Sequence, residues 1–79
     1  MTDKDLLFQF AEEKHLNYNY EANIIYFRVG CVSYTVKSFD DINEFEIWCE
    51  IDTSEGHLAI IFSKNRTLDQ MKAIIENLL

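Results

Sequence analysis

The chain has no proline, and between Lys37 and Lys64 it has no lysine or arginine. With no proline, no low-complexity run and no internal repeat, nothing marks a linker, so a single domain spanning residues 1–79 is expected. No window approaches the roughly 18 consecutive apolar residues that a spanning helix needs. The N-terminus offers Asp3 and Asp5 beside Lys4 in place of the basic start and apolar run of a secretory signal. Cysteine is also scarce. Cys31 and Cys49, in a chain without an export signal, are expected to be reduced thiols, and the expected location is cytoplasmic.

Positive charge is in shortest supply: 7 basic residues stand against 14 acidic ones, for a net charge of −7. A nucleic-acid binder needs a basic footprint, so direct binding of DNA or RNA is not expected, and anionic membrane surfaces are disfavoured for the same reason. The acidity is uneven, because Asp40, Asp41, Glu44, Glu46, Glu50, Asp52 and Glu55 all fall within the stretch that lacks a basic residue.

What is present is apolar and aromatic material. Hydrophobic residues make up 48% of the chain and aromatics 14%, enough to build one small core and to argue against disorder. Thr2-x-x-Asp5 resembles a capping box, and Leu6, Leu7, Phe10 and Ala11 after it line one helical face, predicting a helix to about His15. Asn17 and Asn19 read as a break. Residues 23–29 and 31–37 then read as two strands around Gly30. With a Val29-Gly30 loop, residue 27 faces 32 and residue 25 faces 34, leaving Ile25, Phe27, Val32 and Tyr34 on one face. Residues 38–42 read as a polar connection. Thr67-x-x-Gln70 is a second capping box, followed by the stripe Leu68, Met71, Ile74, Ile75 and Leu78.

The segment 44–52 alternates without a break: Phe45, Ile47, Cys49 and Ile51 on one side, Glu44, Glu46, Trp48, Glu50 and Asp52 on the other. Period two predicts a half-buried strand whose wet face is a row of carboxylates around a tryptophan. Across a turn at Thr53–Gly56 it should pair with residues 57–63. Leu58, Ile60 and Phe62 would then lie on the buried side opposite Ile51, Cys49 and Ile47, and His57, Ala59 and Ile61 opposite Asp52, Glu50 and Trp48. The expected fold is α+β and two-layered: a four-stranded antiparallel meander with an N-terminal and a C-terminal helix on one face, in the order αββββα.

That arrangement leaves the second sheet face uncovered. Tyr26, Trp48 and Ile61 would form its apolar centre with Ile24 and Ala59, ringed by Glu44, Glu46, Glu50, Asp52, Lys37 and Arg28. Exposed Trp and Tyr are enriched at interface hot spots, and surrounding charge contributes steering. The bland alternative is that Trp48 only packs across the strands and the acids only solubilise. Alternate residues on a strand lie about 6.5–7 Å apart, near the spacing of successive phosphates, so mimicry of a nucleic acid is a sharper version of the same idea.

Catalysis finds no constellation. His57 opposite Asp52 has the form of a base and its orienting carboxylate, but no serine or cysteine is placed as a nucleophile, so no catalytic residue is assigned and no enzyme is expected. His15 reads as a partner of the helix dipole. The histidines and cysteines lack metal-ligand spacing. Asp40-Asp41 with Glu44 lacks the glycine and alternating ligands of a calcium loop, so no metal or cofactor is expected. No segment carries a motif that marks a family. The leading expectation is a non-enzymatic protein-binding module that docks on a basic protein surface through Glu44, Glu46, Trp48, Glu50, Asp52, Tyr26 and Ile61, as an inhibitor or immunity-type (anti-defence) protein does. The alternative is a homodimeric adaptor or chaperone-like protein pairing through the same face.

Overall fold

The computed structural model describes residues 1–39 and 43–79; the connection expected over 38–42, with Asp40 and Asp41, therefore lies largely outside the described residues. The elements are α1 (Asp3–Glu13), β1 (Asn17–Asn19), β2 (Ile24–Val29), β3 (Val32–Ser38), β4 (Phe45–Thr53), β5 (Gly56–Arg66) and α2 (Leu68–Leu78). The fold is α+β. Its sheet is an antiparallel meander in the order β1-β2-β3-β4-β5, with one strand more than the four expected among the described residues. The additional strand is β1, a three-residue polar edge whose pairs are Asn17 with Tyr26, Tyr18 with Ile25 and Asn19 with Ile24. No helix among the described residues is long and apolar enough to cross a membrane.

Both helices begin as their sequences dictate. The Thr2 hydroxyl accepts from the Asp5 N–H and the Asp5 carboxylate accepts from the Thr2 N–H, each at 3.1 Å; Thr67 and Gln70 repeat the exchange at 3.3 and 3.0 Å. Two orphan donors are satisfied at each start. The end of α1 is less ordinary. His15 sits at φ 60, its N–H donates to the Glu12 carbonyl, and the Leu16 N–H reaches back to the Ala11 carbonyl at 2.9 Å. This is a Schellman motif with histidine in the left-handed position that usually takes glycine. His15 thus closes the helix backbone, a firmer role than the dipole partner expected of it.

The core joins Leu7, Phe8, Phe10 and Ala11 of α1 with Met71 and Ile75 of α2, over Ile25, Phe27, Val36, Phe45 and Ile47 of the sheet. All five sheet residues share one face by register. Leu68, Ile74 and Leu78 pack half-buried at the margin, so the α2 stripe is centred on Met71 and Ile75.

The β2–β3 register differs from expectation by two residues. Phe27 faces Tyr34 and Ile25 faces Val36, so the loop is Gly30-Cys31. Gly30, at φ 63, takes the first loop position, as type II′ hairpins require, which removes the strain of a valine there. A shift of two preserves every side chain's face, so the expected faces stand.

The β4–β5 pairing follows expectation from Asp52–His57 through Trp48–Ile61, then slips. Ile47 faces Ser63 instead of Phe62, and Phe45 faces Arg66. Asn65 lies in this irregular stretch at φ 57, a conformation asparagine tolerates better than most residues. A larger correction concerns burial. Leu58, Ile60 and Phe62 were expected on the buried side, yet they are 52%, 48% and 51% exposed. Ile60 and Leu58 do face the same way as Cys49 and Ile51, but the core cluster contains no β5 residue, and α2 borders β5 only along a shallow groove beside Phe62, Ser63 and Arg66.

Candidate functional site

The outer sheet face is built by register. Asn17, Tyr26, Thr35, Trp48 and Ile61 form one row across all five strands of the meander. The next row toward the β4–β5 turn is Arg28, Ser33, Glu50 and Ala59; the next toward the other end is Asn19, Ile24, Lys37 and Glu46. Tyr26 is 45% and Ile61 44% exposed, whereas Trp48 is half-buried. The structure therefore brings Tyr26, Trp48, Ile61, Glu46 and Glu50 together as expected. Asp52 lies one step further along β4, and Glu44 falls just before the strand begins.

Trp48 is held between opposite charges. Its indole N–H donates to the Glu46 carboxylate at 3.2 Å, and the Lys37 ammonium lies 4.9 Å from the ring centroid. Lys37 and Glu46 are themselves cross-strand partners. A cation over an indole face and a charge-assisted bond at its edge fix the ring's orientation. Lys37 lies over the ring, Thr35 and Ile61 flank it across the strands, and Trp48 is half-buried. The sequence places Lys37 on the charged rim around Trp48; the β3–β4 pairing brings its ammonium to the ring itself.

The carboxylate row is likewise partly matched. His57 Nδ1 lies 2.8 Å from Asp52 Oδ1, and His57 Nε2 lies 3.6 Å from Glu50 Oε2. The hydrogen bond to Asp52 raises the imidazole's pKa above its ordinary 6.5; desolvation, next in size, opposes the rise, and the charges of Asp52 and Glu50 add to it. Arg28 is occupied by its own turn, donating from Nε to the Gly30 carbonyl at 3.0 Å. A shallow recess over β2 and β3 includes Tyr26, Phe27, Arg28, Tyr34, Thr35 and Glu50 in its lining.

The remaining candidate groups stay apart. Cys31 is an exposed free thiol at the β2–β3 turn, and Cys49 is a buried free thiol on the opposite sheet face from Trp48. No three His, Cys, Asp or Glu residues among those described are grouped to hold a metal ion. The His57–Asp52 pair stands in the open on the outer face, with both side chains largely exposed.

One feature has no warning in the periodicity. Phe8 meets Tyr18 and Tyr20 edge-to-face at centroid distances of 5.6 and 5.3 Å, with the Lys4 ammonium 3.8 Å from the Tyr20 ring. The Tyr20 hydroxyl donates to Asp5, the carboxylate of the capping box, and holds its pKa below the usual value. This cluster ties α1 to the chain around β1. Tyr18 and Tyr20 alternate with Asn17 and Asn19, which read as a break, and that hid their joint role.

No family model, curated protein or solved structure matches this chain.

Proposed function

We propose that the chain is a non-enzymatic protein-binding module whose outer sheet face docks on a basic protein surface, in the manner of an inhibitor or immunity-type protein, and that it works in the cytoplasm. The observation that carries this reading is the row Tyr26–Thr35–Trp48–Ile61 on the sheet face away from the helices, between Glu46 and Glu50. Exposed aromatic and aliphatic groups in the middle of a charged rim are the layout of a hot spot with its surround. Trp48 and Tyr26 supply rigid apolar area, while Glu44, Glu46, Glu50 and Asp52 supply the field that attracts a cation-rich partner. Lys37 and His57 offset part of that field locally, so the partner is expected to compete for Glu46 and Glu50 with arginine or lysine groups of its own. Arginine suits this task because its planar fork binds carboxylates bidentately.

Affinity capture from the native host tests this reading with three baits: the parent chain, Trp48→Ala, and Glu46→Lys combined with Glu50→Lys. A basic protein retained by the parent and lost by both variants is the expected result. The same proteins retained by all three baits would place the functional surface elsewhere.

A further inference from the structure

We propose that β5 is a self-pairing edge, and that two copies of the chain join β5 to β5 antiparallel into one continuous sheet. This goes beyond docking on the outer face and rests on separate observations. β5 is an 11-residue edge strand, and its inner-side residues Leu58, Ile60 and Phe62 are about half exposed. Unpaired strand edges are templates for other strands, and folds normally blunt them by brevity, proline, charged side chains, bulges or a covering helix or loop. The opposite edge follows that practice, since β1 is three polar residues long. From Leu58 to Ile61, β5 pairs regularly with β4 and has no proline and no charge; its bulge and its basic residues lie beyond, from Phe62 to Arg66.

The occupant is set by how charge runs along the edge. The turn that opens β5 carries Glu55, with Asp52 and Glu50 just behind it on β4, while Lys64 and Arg66 stand at the far end. A second copy laid antiparallel brings the basic end of each strand beside the acidic turn of the other, so both ends match at once. With Ile60 on the two-fold axis, Ile60 faces its own copy and Leu58 faces Phe62. The inner face of the combined sheet then stays apolar across the seam. A closed two-fold interface of this type uses the same patch twice. The shallow groove formed by Phe62, Ser63, Arg66, Gln70, Ala73 and Ile74 lies beside the seam and extends the contact onto α2. An interface of this length is smaller than a standard one, so a Kd on the order of micromolar is expected.

Sedimentation equilibrium from about 1 to 500 µM brackets that range. The parent is expected to pass from monomer to dimer, and Ile60→Lys is expected to stay monomeric with its fold intact, because the position is half exposed. Trp48→Ala, on the outer face, should dimerise like the parent. Lys64→Glu and Glu55→Lys should each weaken the dimer about tenfold, since each change acts twice across the axis. The chain carrying both changes should recover parental affinity, which only pairing of each strand's end with the other's turn predicts. A parent that stays monomeric at the highest concentration, a dimer indifferent to Ile60→Lys, or a double charge exchange without recovery would each overturn the proposal.

Discussion

The strands β2 to β4 and the strand β5 are made of the same material and meet opposite fates. Ile25, Val36 and Ile47 on the inner face are essentially inaccessible, whereas Leu58, Ile60 and Phe62, facing the same way on the neighbouring strand, are half open to solvent. The difference lies in what stands above them. α1 and α2 contribute Leu7, Phe10, Met71 and Ile75 to a core over β2, β3 and β4, and no residue of β5 belongs to it. Hydrophobic alternation assigns a side chain to a face; the reach of the helices decides whether that face is covered.

The sharpest way to break the comparison is to truncate the same side chain on either side of the boundary. Ile47→Ala and Ile75→Ala should each destabilise the fold by about 2–5 kcal/mol, the cost of a cavity in a packed core. Ile60→Ala, at dilution, should cost about 0.5 kcal/mol or less, as exposed positions do. Urea midpoints measure all three, and similar losses for Ile47 and Ile60 would mean that β5 is covered. Thr67→Ala removes the capping box that sets α2 over the sheet and should cost about 1 kcal/mol. His15→Gly should act in the opposite direction, with a gain of a few tenths to about 1 kcal/mol, because glycine adopts the left-handed position without steric cost. The smallest effect belongs to His57. Its pKa is raised on folding, so the stability it contributes is fully present below pH 6.5 and is lost as pH rises through the folded value. Comparing the parent with His57→Gln across that window should show a slight parental advantage on the acid side only.

Much of the covered region was legible because local rules act there without competition. Both capping boxes stand where Thr2 and Thr67 place them, and alternation from Phe45 to Asp52 assigns each side chain to its face. β1 escaped notice because three polar residues carry no periodicity, and its pairing depends on β2 offering an edge. The slip at Ile47 and the left-handed Asn65 have no marker in the alternation of the strand. Within the candidate site, Tyr26, Trp48 and Ile61 could be aligned from the sequence because a register error of two leaves faces unchanged. The clamp of Lys37 and Glu46 on Trp48 needed the β3–β4 pairing, which no turn signal in the sequence fixes. Exposure of Leu58, Ile60 and Phe62 was out of reach, since the width that two 11-residue helices can cover is a property of the assembled layers.

The outer face is uncovered as well, but it is polar around an aromatic centre, and that chemistry is what the proposed docking uses. The most direct test is the association rate between this chain and a partner captured by the parent bait, measured over a range of salt. At low salt, Glu46→Lys with Glu50→Lys should slow association about tenfold or more, and the deficit should shrink as screening over roughly 8–10 Å sets in. Trp48→Ala should mainly speed dissociation. An association rate equal to the parent's at low salt would contradict docking through the acidic face.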